Sequence, residues 1–170
     1  DEVHVFGMQF ADGAPGASHV IDVCGRRGEQ EVRFAQAAVD AARAARCDVT
    51  LGIRHLREVD VYWPHGGLHR ATRAAGERAR GGLGATVSRA LHRLSAKHAT
   101  FLRMERALLA DGGARVVWCV SELVRDEIAA VFPACAPLLE VHANGVDLET
   151  FHPGLRAERR DAFLARHGID

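Results

Sequence analysis

VVWCVSELVRDEIAAVFPACAPLLEVH, residues 116–142, is the stretch of this 170-residue chain that decides its fold. Val116–Val120 is a short apolar run typical of a buried strand, and Leu138–His142 is a second one. Between the two runs, Ser121 is a good N-cap for a helix over Glu122–Phe132. The order strand, helix, strand predicts two parallel strands that are joined by a crossover helix.

The same alternation of short apolar runs and helical stretches continues towards the amino terminus. Strands are predicted over Val3–Phe6, His19–Cys24, Asp48–Ile53 and Val59–Trp63. Helices are predicted over Glu29–Arg46, Leu68–Arg80, Ala85–Ala110 and Gly154–Gly168. Gly168 is expected to terminate the last of them. Strands that alternate with helices favour an α/β fold in which a parallel sheet carries helices on both faces.

The net charge of zero hides an uneven distribution of charge. Residues 68–115 carry ten Lys or Arg against three acids, which gives a net charge of +7, and the rest of the chain carries −7. In the predicted helix Ala85–Ala110, the basic residues Arg89, Arg93 and Lys97 are four apart and form a stripe beside an apolar face. Such a helix either covers the sheet or lies on an anionic membrane surface, and both interpretations stay open here.

The composition argues against several classes of protein. With 48% apolar and 26% charged residues, the chain is a globular domain rather than a disordered segment. No apolar run is long enough to span a membrane. No secretory signal peptide, which would be a positively charged segment followed by an apolar one, is visible after Asp1. The four cysteines form no C-x-x-C motif and do not have the spacing of a disulfide framework. This pattern indicates reduced thiols in a cytosolic protein. Aromatic residues are too scarce, at 6%, to favour a nucleic acid as partner.

The sharpest local feature is WPHGG at Trp63–Gly67, where a predicted strand passes into a predicted helix. Ligands of open α/β sheets bind at the carboxyl ends of the strands. Backbone N–H groups of Gly66 and Gly67 at a helix N-terminus can approach an anion closely. We expect His65 to donate a hydrogen bond to a phosphate or a sugar hydroxyl, and the alternative is that Pro-His-Gly-Gly is only a turn.

A metal site is not expected in this chain. His65 and His69 have the four-residue spacing of a helical metal pair, but His65 precedes the helix and no third ligand is near in sequence. The signatures of zinc proteases, P-loop proteins, serine hydrolases and dinucleotide-binding domains are also missing from the sequence.

Two stretches of the carboxyl-terminal third resemble glycosyltransferase family 4. They are VSELVRDEI at Val120–Ile128 and HANGVDLETFHP at His142–Pro153. Further upstream, DVTLGI, VDVYWPHGG and KHATFLRMERALLADGG are similar to the lipopolysaccharide core branch of that family. The resemblance covers nearly the whole chain, and its Asn-Gly-Val-Asp block is the most specific part.

The resemblance implies a GT-B enzyme with two Rossmann-like domains that face a cleft. Residues 1–147 would form most of the N-terminal, acceptor-side domain, and residues 148–170 would form a linker and the start of the nucleotide-sugar domain. The chain would thus be truncated at both ends. Such enzymes transfer a sugar from a nucleotide-sugar with retention of configuration and without a metal ion or other cofactor. Because the donor-binding glutamates would belong to the second domain, we expect the isolated chain to be inactive.

The resemblance also assigns roles to particular residues. It implies a cleft-facing catalytic role for His65 beside the substrate-binding residues Gly66, Gly67, Ser121 and Glu122. It implies a hinge between the two domains at Asn144, Gly145 and Asp147.

Two functions of different classes follow from these patterns. The first is sugar transfer to a saccharide or lipid-linked acceptor in cell-envelope glycan or lipopolysaccharide synthesis, by a cytoplasmic protein that binds the inner face of the membrane peripherally. The second is a non-catalytic Rossmann-like ligand-binding module. A pair of glutamates spaced eight apart in downstream sequence would favour the enzyme. A dehydrogenase-type domain is a third reading, but the chain lacks its glycine fingerprint.

Overall fold

Six strands and five α-helices are found in the part of the chain that the structure, a computed structural model, describes: residues 2–12, 16–81 and 95–169. The strands are β1 (His4–Gly7), β2 (Ala17–Val20), β3 (Leu51–Gly52), β4 (Val59–Tyr62), β5 (Ala114–Cys119) and β6 (Leu139–Val141). The helices are α1 (Arg27–Ala44), α2 (His69–Arg80), α3 (Ala96–Leu109), α4 (Glu122–Val131) and α5 (Gly154–His167). A 3-10 helix over Pro133–Leu138 joins α4 to β6.

All strand pairs are parallel, as the alternation of elements predicts. The larger sheet has the order β3-β4-β5-β6, and β1 pairs with β2 in a smaller sheet. In the larger sheet, Tyr62 of β4 lies opposite Val117 of β5, and Cys119 of β5 lies opposite Val141 of β6. Helices connect β4 to β5 and β5 to β6, since a parallel neighbour can be reached only by a crossover. The predicted α/β fold with a parallel sheet and flanking helices is confirmed.

The main core lies between the larger sheet and the helices α2, α3 and α4. Its most deeply buried apolar side chains come from both layers: Tyr62, Leu68, Leu108, Leu109, Val117, Cys119, Ile128 and Cys135. Each Leu, Ile or Val that is removed from water here contributes roughly 1.5–3 kcal/mol to folding. Burial also raises the pKa of the Cys119 thiol to about 11, so this cysteine is a structural thiol rather than a nucleophile.

Helix α1 packs closely against α3. Its buried face repeats at helical spacing through Phe34, Ala35, Ala38 and Ala42. The sequence pattern places Val32 on this face as well, but Val32 is exposed. At the crossing point, a Cβ placed on Gly28 would lie 3.3 Å from the Cα of Lys97. The missing side chain of Gly28 therefore allows the two backbones to approach each other.

The ends of two helices follow the predicted capping chemistry. The Oγ of Ser121 accepts a hydrogen bond from the N–H of Val124 at 3.3 Å, so Ser121 is the N-cap of α4. Gly168 follows α5 with a positive φ of 59°, the left-handed conformation that favours glycine after a helix.

Several element boundaries differ from the prediction. Strand β2 begins at Ala17 rather than at His19, because Ala17 pairs with His4 of β1. Strand β3 is limited to Leu51–Gly52, the two residues that pair with β4. Helix α3 begins at Ala96, whereas the predicted helix begins eleven residues earlier, at Ala85. Residues 82–94, and with them Arg89 and Arg93, lie outside the described residues.

A carboxylate joins the segment before β3 to its neighbours in the sheet. The Oδ2 of Asp60 accepts hydrogen bonds from the N–H of Thr50 at 2.9 Å and from its hydroxyl at 2.8 Å. The other carboxylate oxygen lies 3.1 Å from the guanidinium of Arg115. The hydrogen bonds from Thr50 and then the charge of Arg115 hold the pKa of Asp60 below its ordinary value. Asp60 therefore stabilises the fold in its ionised form.

We predict that Asp60→Ala lowers the free energy of unfolding at pH 7 by about 2 kcal/mol, because two hydrogen bonds to a charged acceptor are lost. Since the pKa of Asp60 is lowered in the folded state, its contribution is complete above the ordinary value of 3.8 and disappears as the pH falls through the lowered value. Urea unfolding at pH 7 and at pH 3 measures both effects. The matched control is Asp48→Ala, which removes an exposed carboxylate two residues before Thr50. An equal loss of stability in both variants would contradict the prediction.

Candidate functional site

Three loops meet at the carboxyl edge of the larger sheet. Residues 63–67 follow β4, residues 120–121 follow β5, and residues 142–147 follow β6. Because the three strands are parallel neighbours, their following loops lie side by side, which is where open α/β sheets bind ligands.

Aromatic rings connect the loop after β4, through strand β5, to the loop after β6. Trp63 stacks on Trp118 with their ring centroids 6.0 Å apart, and His142 meets Trp118 edge-on at 5.0 Å. On its other side, Trp63 meets the ring of His65 edge-on at 5.9 Å. We call these four side chains the aromatic row. The row connects His65, through Trp63, to side chains from β5 and the end of β6 that are far from it in sequence.

The backbone of the loop 63–67 holds His65 in an exposed position. The N–H of His65 donates to the carbonyl of Trp63 at 2.9 Å, and the N–H of Gly67 donates to the carbonyl of Pro64 at 2.8 Å. Gly67 has a φ of 70°, which a residue with a side chain adopts only under strain. His65 and Gly66 are exposed while Pro64 is buried. The imidazole is thus accessible to donate or accept a hydrogen bond, whereas the N–H of Gly67 is already used within the turn.

A buried carboxylate anchors the end of this loop. Glu105 of α3 is only 1% exposed, and its Oε1 accepts a hydrogen bond from the N–H of His69 at 2.6 Å. His69 is the first residue of α2, where backbone N–H groups have no partner within the helix. A carboxylate at this position also complements the helix dipole. Glu105 therefore fixes where the loop ends and α2 begins.

Two histidines lie next to this carboxylate, and an aromatic ring packs against one of them. The Nε2 of His55 lies 3.8 Å from the same Oε1 of Glu105. His69 stacks on Phe101 and faces His98, with its Nε2 3.1 Å from the Nδ1 of His98. Burial lowers the pKa of His69. His69 is thus turned towards α3 rather than towards His65.

No metal-binding cluster is found within the described residues 2–12, 16–81 and 95–169. In these ranges, no group of three or more His, Cys, Asp or Glu side chains could hold a metal ion.

Ser121 and Glu122 lie at the carboxyl end of β5, as expected from the sequence. The hydroxyl of Ser121 caps α4, so it already accepts one hydrogen bond. Glu122 is exposed in the first turn of α4, and its carboxylate lies 2.5 Å from the guanidinium of Arg125. The negative charge of Glu122 is therefore partly neutralised by a neighbour on the same helix.

The predicted hinge forms an exposed turn after β6. The Oδ1 of Asp147 accepts hydrogen bonds from the N–H groups of Glu149 at 2.9 Å and Thr150 at 3.1 Å. Its Oδ2 accepts from the hydroxyl of Thr150 at 2.6 Å, and this bond is the main reason why the pKa of Asp147 is lowered. Asn144 and Gly145 are exposed just before this turn. The position of a domain boundary here stays a prediction.

Taken together, the sheet order and the carboxyl-edge loops define a Rossmann-like α/β domain. Comparison with solved structures gives the more particular match. The chain is similar in fold to a crystal structure of WaaG, a glycosyltransferase involved in lipopolysaccharide biosynthesis, with a TM-score of 0.71 and 14% sequence identity. The match covers 100% of this chain and 44% of the WaaG chain, so the chain spans less than half the length of that protein. This match, together with the parallel sheet and its flanking helices, confirms the predicted Rossmann-like α/β fold.

Sequence comparison adds no family. No protein-family model matches the chain, and no curated protein matches it. Among the helices of the described ranges, none has the length and apolar character needed to cross a membrane.

Three of the side chains that shape the site do not stand out in the sequence. Trp118 and His142 lie in predicted strands, and Glu105 is one of the three acids in the basic segment 68–115. The signal for Trp118 is present in the register, since Tyr62 pairs with Val117 and the next residues, Trp63 and Trp118, must then be neighbours. That register is not visible until the strands are aligned.

We predict that Glu105→Ala lowers the free energy of unfolding by about 2–3 kcal/mol, because a buried N–H loses a charged acceptor. Glu105→Gln keeps an acceptor oxygen and should recover a large part of this loss. Urea unfolding measures the stability of both variants. Hydrogen exchange at the His69 amide is the local readout, and we expect it to be fastest in the alanine variant. Equal exchange in wild type and Glu105→Ala would contradict the anchoring role.

Proposed function

We propose that this chain is the acceptor-side domain of a retaining, family 4 glycosyltransferase that moves a sugar from a nucleotide-sugar to a saccharide or lipid-linked acceptor. The observation that carries the proposal is the fold: all of the chain superposes on part of a lipopolysaccharide glycosyltransferase. The exposed His65 at the carboxyl edge of the sheet supports it, because ligands of such sheets bind there.

In this proposal His65 acts at the acceptor side of the cleft. The oxygen of the acceptor hydroxyl forms a bond to the anomeric carbon of the donor sugar, while the bond from that carbon to the diphosphate oxygen breaks. The nucleoside diphosphate leaves and takes up the proton of the hydroxyl. The accessible imidazole of His65 hydrogen-bonds to an acceptor hydroxyl or to a donor phosphate, while Gly66 gives the substrate room next to it. The aromatic row fixes the position of the His65 ring through its contact with Trp63.

Other predicted residues take supporting roles. Ser121 and Glu122 lie at the end of the neighbouring strand, where the carboxylate of Glu122 can accept hydrogen bonds from sugar hydroxyls. The exposed turn at Asn144, Gly145 and Asp147 is proposed as the hinge to a nucleotide-sugar domain. The proposed chemistry uses no metal ion and no other cofactor, in line with the family that the sequence resembles.

We predict that the product of the whole reading frame encoding this sequence transfers sugar from a nucleotide-sugar to a lipopolysaccharide-type acceptor, and that the isolated 170-residue chain does not. His65→Ala should lower kcat/KM by roughly ten- to hundredfold, the effect of one lost hydrogen bond to a charged or reacting group. A panel of radiolabelled nucleotide-sugars with a truncated core acceptor measures transfer.

The control variant is His167→Ala, which removes an exposed histidine of α5 that contacts Phe163. It should leave the rate of transfer unchanged. Binding of a nucleotide-sugar without transfer would favour the non-catalytic binding module instead. Transfer by the isolated chain would contradict the role proposed for a second domain.

We further propose a peripheral interaction with the inner face of the cell membrane through Arg89, Arg93 and Lys97. The support is the net charge of +7 in residues 68–115 together with the amphipathic pattern of the predicted helix. Of the three residues, only Lys97 lies within the described ranges, in the first turn of α3, where it is half-buried.

We predict that the chain binds vesicles containing phosphatidylglycerol and that reversing Arg89, Arg93 and Lys97 to Glu abolishes this binding. The matched control reverses Arg156, Arg159 and Arg160 on α5, which changes the net charge by the same amount. Vesicle co-sedimentation at low and physiological salt measures the interaction, which should weaken as salt rises. Equal loss of binding in both variants would show that net charge rather than the stripe is responsible.

A further inference from the structure

The carboxylate of Glu127 lies against the loop 63–67 from the side of α4. A Cβ placed on Gly67 would lie 3.8 Å from the Oε2 of Glu127, whereas one placed on Gly66 would have nothing within 4 Å. Glu127 belongs to the second turn of α4 and is half-buried. The helix thus brings a negative charge to the two glycines that follow His65.

Glu127 occupies a position of α4 where the helical pattern favours an apolar residue. Val124, Ile128 and Val131 form the side of this helix that packs on the main core. Residue 127 lies at helical spacing from the first and the last of them. A carboxylate at such a position loses part of its hydration, which costs free energy unless a partner compensates for the loss.

No such partner is found in the part of the chain that the structure describes. Within it, Glu127 forms neither a hydrogen bond nor an ion pair, and this includes Arg70 and Arg73 of α2. Arg125, the one cation in the sequence of α4, binds two other carboxylates of the same helix. Because Glu127 is only half-buried, its carboxylate can accept hydrogen bonds from a ligand that lies at the loop.

The loop adds hydrogen-bond donors next to this acceptor. The N–H of Gly67 is used within the turn, whereas the N–H of Gly66 has no hydrogen bond among the described residues. The exposed imidazole of His65 can donate or accept. A sugar hydroxyl can therefore donate to Glu127 and accept from the N–H of Gly66. A phosphate or carboxylate group only accepts, and it would be repelled by the charge of Glu127.

We propose that Glu127 is a specificity-determining residue, which binds a hydroxyl or ammonium group of the acceptor sugar next to His65 and disfavours a phosphate or carboxylate there. The inference rests on the proposed function, in which the acceptor lies at this loop. It deepens that function, because it assigns the surroundings of His65 to a hydroxyl of the acceptor rather than to a phosphate of the donor.

Titration of the isotope-labelled 170-residue chain with glucosamine, glucose and glucuronic acid tests the role of Glu127. The three probes carry a positive charge, no charge and a negative charge, and the amide signals of Gly66 and Gly67 in NMR spectra report binding at the loop. Glucosamine should bind about tenfold or more tightly than glucuronic acid, because a single charge at contact distance near a surface has an effect of this size. Equal affinities for these two probes would overturn the proposal.

Glu127→Gln keeps the size of the side chain and an acceptor oxygen but removes the charge. This variant should lower the preference for glucosamine over glucuronic acid about tenfold. Circular dichroism checks that the fold is intact. The matched control is Asp126→Asn, which removes one negative charge from the neighbouring position, where the carboxylate binds Arg125. The control should keep the wild-type preference, and an equal change in both variants would overturn the assignment to Glu127.

Failure of this inference and failure of the proposed function give different results. If the product of the whole reading frame transfers sugar but the preference does not depend on Glu127, only the role of Glu127 is overturned. If the preference depends on Glu127 but that product transfers no sugar, the role of Glu127 in sugar binding is supported and the transfer function is wrong. If none of the three probes shifts the signals of Gly66 and Gly67, the proposal is overturned.

Discussion

The rest of the described structure depends on the parallel pairing of β4 with β5. A parallel neighbour can be reached only through a crossover, and here α2 and α3 lie within that connection and cover the core. The same pairing brings the carboxyl ends of the strands to one edge, so that Trp63 stacks on Trp118 and His65 lies beside them. Core and candidate site thus follow from one geometric constraint.

The helical layer and the candidate site are physically linked by Glu105. This carboxylate belongs to the buried side of α3, yet it binds the first N–H of α2 at the end of the loop that carries His65. A buried charge is costly unless it is hydrogen-bonded, so the interaction constrains both helices at once. The position of His65 consequently depends on packing in the layer behind it as well as on the local turn.

Local sequence patterns predict the types of the elements, the Ser121 cap, the Gly168 helix end and the parallel α/β fold. Each of these features depends on neighbouring residues and on the spacing of apolar residues along the chain. Strand limits and ring contacts depend on which strands pair and in which register. The sequence therefore does not predict the length of β3, the start of β2 or the aromatic row. The partner of His69 illustrates the same distinction. Its spacing in sequence relates it to His65, whereas the crossing of α2 over α3 places it against His98, since side-chain neighbours are set by packing rather than by distance along the chain.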